Sequence, residues 1–203
     1  MNAATTDSVT VSKRDAILEA ASKVFLEVGF GSASMDTIAS EAKVSKQTVY
    51  NHFGSKEDLF AAMIRSTCDQ MTTAFAEAAK IGDPDKTLRA IARHFMNFVF
   101  SSEKLSLHRL LMAEVGRFPD LGRIYYQSGP EPIRKFVADY LTEQTRRGTL
   151  KVDNPRLTAE QFIGMITGCR LRSQLGIEPQ PSQEELEKYI DNAVNILLRA
   201  CRV

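Results

Sequence analysis

The chain has 203 residues, 43% hydrophobic and 25% charged, enough apolar material for one large or two small cores. Its 26 Lys and Arg nearly cancel 25 Asp and Glu, and a net charge of +1 identifies no partner. No run approaches the ~20 apolar residues of a membrane span, and three scattered cysteines, Cys68, Cys169 and Cys201, argue against a disulfide frame or a zinc site and for reduced thiols in a cytoplasm.

Residues 1–12 lack the apolar run and cleavage site of a signal peptide and read as a short disordered arm, with Lys13 and Arg14 at its end as minor-groove candidates. A first helix over 12–28 carries Ile17, Ala21, Phe25 and Val28 on one stripe. It stops at 29–31, and Phe30 packs back under the small domain. Ser34 caps a short second helix, with Asp36 at the positive end of its dipole and Ile38, Ala39 and Ala42 at helical spacing. Lys43 and Val44 form a turn. Ser45 then caps a third helix that ends at Gly54, a residue tolerant of positive φ. Val44, Val49 and Phe53 point inward, while Lys46, Gln47, Tyr50 and Asn51 share another face.

Two short helices around a tight turn, the second presenting polar side chains, have the geometry that enters a DNA major groove. Gln47 suits an adenine edge, and Lys46 suits guanine or phosphate. Thr37, Thr48, Tyr50 and His52 are neutral donors for phosphate oxygens. Residues 55–58 open the next helix, so its free N–H groups and Lys56 are further phosphate candidates. Residues 1–60 carry six Lys and Arg against eight Asp and Glu, so any electrostatic affinity comes from a local patch at Lys43, Lys46 and Lys56.

The run resembles the DNA-binding domain of TetR/AcrR-type transcriptional repressors. Phe25 and Gly29-Phe30 match the end of that family's first helix, and Thr37 its second-helix threonine. Thr48-Val49-Tyr50-Asn51-His52-Phe53 and Lys56 with Leu59 complete the pattern over about residues 13–60. The rest of the chain is similar only in length and helical pattern. The resemblance implies phosphate contacts at Thr37, Thr48, Tyr50, His52 and Lys56, and base reading by Lys46 and Gln47. The expected fold is all-α, about nine helices: an arm (1–12), a three-helix helix-turn-helix domain (13–60) and a larger helical effector-binding and dimerisation domain (61–203).

Downstream, a long fourth helix over 55–80 places Leu59, Phe60, Met63 and Ile64 in the small core and Met71, Phe75 and Ala78 toward the body. Asp83 and Pro84 start a fifth over 85–101, with Leu88, Ile91, Phe95, Phe98 and Val99 apolar. A sixth over 103–118 carries Leu107, Leu110, Leu111 and Val115 and is ended by Pro119. The segment 121–147 is broken by Gly129-Pro130-Glu131-Pro132. Capping-box spacing at Thr158–Gln161 and at Ser182–Glu185 opens two last helices, 158–175 and 182–200. The first carries Phe162, Ile163, Ile166, Leu171 and Leu175, with Gly164 and Gly168 one turn apart to allow close approach. The resemblance makes these two helices the homodimer interface.

It also implies a ligand cavity in the larger domain. Candidate lining residues are Phe95, Met96, Phe100, His108, Met112, Phe118, Tyr125, Tyr126 and Met165, an adaptable apolar set with a few polar anchors. Arg170 or Arg172 is the alternative, an acceptor site for an anionic group. The expected function is a ligand-responsive dimeric regulator, a repressor in the family's commoner mode, that binds a palindromic operator through 45–53 and is released by a small-molecule effector. Two alternatives stand beside it, a helical enzyme and a non-specific architectural DNA binder. His52, His94 and His108 form no metal-ligand spacing, no glycine-rich phosphate loop occurs, and no catalytic residue, metal or cofactor is expected.

Overall fold

The computed structural model describes residues 12–203, so the expected arm falls almost wholly outside the described residues. Helices α1 (Lys13–Ser32), α2 (Met35–Glu41), α3 (Lys46–Phe53) and α4 (Lys56–Ala79) are followed by α5 (Pro84–Val99), α6 (Ser102–Glu114), α7 (Pro119–Ser128) and α8 (Pro130–Arg146). α9 (Pro155–Thr167), α10 (Arg170–Gln174) and α11 (Gln183–Cys201) complete the chain. No strand occurs among the described residues; Leu150 and Arg202 form an isolated bridge. No helix among them is long and apolar enough to cross a membrane. The chain divides into two compact units between Met63 and Ile64, within α4.

In the first unit, short-range chemistry sets the ends of the helices. The Ser12, Ser34 and Ser45 hydroxyls each accept a backbone N–H three residues on, Asp15, Thr37 and Thr48, which satisfies one of the donors a helix start leaves unpaired. α1 is interrupted at Gly29, whose φ of 82° and ψ of 161° lie outside the helical region. That break turns Phe30 into the core against Phe25 and Phe60, with ring centroids 5.5 Å from each. Phe25, Phe30 and Phe60 are fully buried with Ile17, Ile38, Val49 and Leu59. Val28, expected on the buried stripe, is 48% exposed, because the stripe ends where Gly29 redirects the chain. Lys13 and Arg14 lie in the first turn of α1, where the Arg14 guanidinium sits over the Phe53 ring.

In the second unit, Asp83 caps α5 ahead of Pro84, and Ser182 with Glu185 forms a reciprocal capping box on α11. α5 packs on α11, where Arg93 grips Glu187 with two bonds of 2.6 and 2.8 Å. Arg89 reaches Asp191 and Asn195 on the same helix. The break expected near 129–132 separates α7 from α8 at Gly129. A Cβ at Gly129 would stand 3.0 Å from Ile64 and 3.4 Å from the Cys68 sulfur, so a glycine there lets α4 approach without displacing either side chain.

Three boundaries differ from expectation. Pro119 does not simply end a helix; α6 stops at Glu114 and Pro119 opens α7, where its fixed φ and absent N–H suit a first position. α9 starts at Pro155 under an Asn154 cap, because Asn154 with Pro155 is a stronger start than Thr158 with Gln161. The stretch 158–175 splits into α9 and the five-residue α10. With the break at Gly129, that split brings the helical segments among the described residues to eleven, close to the nine or so expected. Leu171 and Leu175 are 62% and 65% exposed in the single chain, and no neighbouring atoms stand over Gly164.

Candidate nucleic-acid interface and cavity

α3 is positioned by what it buries. Val49 and Phe53 face the small core, leaving Lys46, Gln47, Tyr50, Asn51 and His52 exposed and Thr48 half-buried. The turn before it follows the two-bond pattern that ends many helices: Val44 N–H donates to Ala39 (3.0 Å) and Lys43 N–H to Ser40 (3.1 Å). The residue between helix and turn is normally glycine; here it is Lys43, at a left-handed φ of 54°.

The polar face is already paired within itself. Lys46 Nζ lies 2.9 and 3.0 Å from the two carboxylate oxygens of Asp36 and 5.9 Å from the centre of the Tyr50 ring. The hydrogen bond to Asp36, and then its charge, hold the Lys46 pKa above the ordinary lysine value. Gln47 Nε2 donates to Asn51 Oδ1 at 2.8 Å, one turn along the same face. Thr37 and Thr48 pair their hydroxyls with the cap serines Ser34 and Ser45, each at 2.8 Å. His52 packs its ring beside Phe53.

Lys56 behaves differently from the other seven candidates. It is partly buried, and its ammonium donates to the carbonyls of Phe30 (2.7 Å), Ala33 (2.9 Å) and Gly31 (3.3 Å) while lying over the Phe30 ring. An ammonium has three donors, and all three are spent. The last turn of α1 carries no basic residue of its own, so Lys56 supplies the cation that complements its free carbonyls. Short-range patterning carries no signal for this contact, which spans 26 residues of sequence.

The second unit holds a cavity of about 250 Å³. Of the expected lining residues, His108, Tyr125 and Phe95 face it, as does Arg170. Met96 and Phe100 are buried but line no part of it; their neighbours Phe98 and Val99 on α5 stand there beside Phe95. Met112 (58% exposed) and Tyr126 (44%) turn to solvent, and Phe118 and Met165 are half-buried elsewhere. A one-residue step on a helix rotates a side chain by about 100°, so a stripe of aromatics does not reveal which member meets a cavity. The sequence reading missed Cys68, Lys104 and Arg134 on the wall. Arg172, the other anionic-group candidate, instead pairs with Glu178 and Tyr189 away from this cavity.

Burial, and to a lesser extent Arg170, pushes the His108 imidazole below its ordinary value, and His108 Nδ1 pairs with Gln174 Nε2 at 2.8 Å. Burial raises the Cys68 thiol to about 11 and also raises Cys169 and Cys201. All three cysteines are free and buried, and a thiol held protonated is a poor nucleophile. Among the described residues no group of His, Cys, Asp and Glu is arranged to hold a metal ion.

Two family models match. The one described as "Bacterial regulatory proteins, tetR family" covers residues 17–63, and the "AefR-like transcriptional repressor, C-terminal domain" covers residues 86–202. The HTH-type nicotine-responsive transcriptional repressor HdnoR of Paenarthrobacter nicotinovorans is 29% identical over 93% of this chain and 95% of its own. Among solved structures, a TetR-family transcriptional regulator from Mesorhizobium loti MAFF303099 superposes with a TM-score of 0.81 at 31% identity, covering 94% of this chain and 97% of that one. The flavonoid-responsive regulator FrrA superposes at 0.75 with 34% identity and the same coverage. These relatives are transcriptional regulators, not enzymes.

Proposed function

The chain belongs to the TetR family of transcriptional regulators, and on that premise we propose that it works in the cytoplasm as a dimeric repressor that a small-molecule effector releases from a palindromic operator. The observation that carries this reading is the division of α3 into a buried Val49–Phe53 side and an exposed Lys46–Gln47–Tyr50–Asn51 side. Lys46 and Gln47 read base edges, and Thr37, Thr48, Tyr50 and His52 hold phosphates. To reach DNA, Lys46 exchanges Asp36 for the duplex, and Gln47 exchanges Asn51 for a base. Lys56 positions the domain from within instead of touching phosphate.

Support for a dimer comes from the apolar surface left on the last helices. Leu157, Leu171 and Leu175 are exposed, the space over Gly164 is open, and Ile196 is exposed on α11. A two-fold pair of such chains places two copies of α3 on successive half-sites, which gives the specificity one small reading head lacks. The cavity beside α4 supports effector control, since α4 runs from the DNA-binding unit into the cavity wall at Ile64, Thr67 and Cys68. An effector acts only through unequal affinity for the DNA-bound and released shapes.

Footprinting of the intergenic DNA beside the chain's own gene tests the reading. Protection of one short palindrome at a stoichiometry of two chains per site is expected. Uniform coating of all DNA, or no binding, would overturn it.

A further inference from the structure

The cavity has an unbalanced charge. Lys104, Arg134 and Arg170 line it, and no Asp or Glu is among the described residues of its wall. Lys104 is balanced by Glu103 at 2.7 Å. The two arginines have no ion-pair partner among the described residues. Arg134 Nε and Nη1 and Arg170 Nε are buried donors with no hydrogen-bond acceptor among the described residues. Such orphaned donors on a charged group are rare in folded chains and mark a place that favours an incoming acceptor. Tyr126 offers Arg134 only the face of its ring, 5.1 Å away.

The neighbouring polar groups do not supply the missing negative charge. Burial raises the Tyr125 phenol and lowers the His108 imidazole, so both are neutral near pH 7. Tyr125 stands beside Arg170 and favours its charged form, and the Arg170 Nε stays open. Elsewhere the wall is mostly apolar, formed by Ile64, Phe95, Val99, Leu107, Ile133 and Ile163, with the hydroxyls of Thr67 and Thr167 as neutral polar groups. At about 250 Å³ the space is smaller than the ~300–1,000 Å³ typical of drug-sized ligands.

We propose that the cavity takes a small organic carboxylate with an apolar body of one or two rings, its oxygens accepting the orphaned N–H groups of Arg134 and Arg170. Guanidinium and carboxylate match in planar geometry, and the pair gains strength where water is excluded. The same cations disfavour a protonated amine of equal size. This assignment rests on the reading of the cavity as an effector site and names the ligand class for it.

Calorimetric titration of the full chain with benzoate, salicylate and 1-naphthoate tests the assignment, with 1-naphthamide and 1-naphthylmethylamine as neutral and cationic matches. At least one carboxylate should bind at one site per chain, with the matched amide weaker by about tenfold or more and the amine silent. Arg134→Gln and Arg170→Gln should each weaken the carboxylate by about tenfold while leaving the amide nearly unchanged. Binding of amide and acid alike, binding of the amine, or no binding by any of the three carboxylates would overturn the proposal. The wild-type comparison decides even if a variant fails to fold. Repeating the titrations with the footprinted DNA separates the two readings. A carboxylate that binds through the arginines yet leaves DNA affinity unchanged retains the anion site and rejects effector control.

Discussion

Lys56 Nζ donates to the Phe30 carbonyl across 2.7 Å, joining the first residue of α4 to the end of α1 beyond its kink at Gly29. A cation at the start of a helix opposes that helix's own dipole, so its placement serves α1 instead. Lys56→Met therefore lowers the stability of the DNA-binding unit by about 1.5–3 kcal/mol, the usual value of hydrogen bonds to a charged donor. Denaturant melts measure this. DNA affinity falls equally on all sequences, and the slope of log K against log salt stays unchanged. A slope reduced by about 0.9 would identify a phosphate contact instead.

Asp36 competes with DNA for Lys46. Replacing it with Asn frees the ammonium and tightens operator binding by up to about fivefold at low salt, the scale of an exposed ion pair. Fluorescence anisotropy over a salt series should show a steeper slope than wild type. Unchanged affinity would mean that Lys46 stays clear of the duplex.

Gln47→Ala relaxes preference at one base position in each half-site. The loss in discrimination there is about 1–3 kcal/mol, with affinity for other positions retained. Binding selection on a randomised half-site reads this directly. Preference left intact at every position would place the reading group elsewhere on α3.

Lys43 holds a left-handed φ of 54° in a turn that glycine adopts without strain. Lys43→Gly relieves about 1–2 kcal/mol of steric cost and gives back about 0.4–1 kcal/mol through the freer unfolded chain. The expected net effect is a small rise in melting temperature. A lower melting temperature would show that the lysine side chain contributes more than its backbone costs.

His108 makes stability depend on pH. Its folded pKa is depressed, so the unfolded chain takes up the proton first as pH falls. The stability it contributes is complete above about pH 6.5, the ordinary histidine value, and is lost as pH falls towards the folded pKa. His108→Gln should flatten the decline in melting temperature between about pH 7 and 5. Parallel declines in the two proteins would exclude His108 as the cause.

Much of the fold was legible because its signals act within one helical turn. Ser34, Ser45, Asp83 and Ser182 cap the helices their positions implied, and Gly54 ends α3 at a φ of 69°. The buried side of α3 followed from the spacing of Val49 and Phe53. The error in helix bounds arose where two local signals competed, at Asn154 against Thr158. The cavity wall was least legible, with Met96 and Phe100 named beside Phe95 where Phe98 and Val99 stand.

The amino-acid order alone determined the helices, their starts and the outward face of α3, since caps, glycines and apolar spacing are interactions between near neighbours in the chain. Tertiary packing decided which carbonyls occupy Lys56, which carboxylate restrains Lys46, and that Arg134 and Arg170 line one cavity. Those outcomes join residues 10 to 36 positions apart, and burial and charge act on them only after the helices have met.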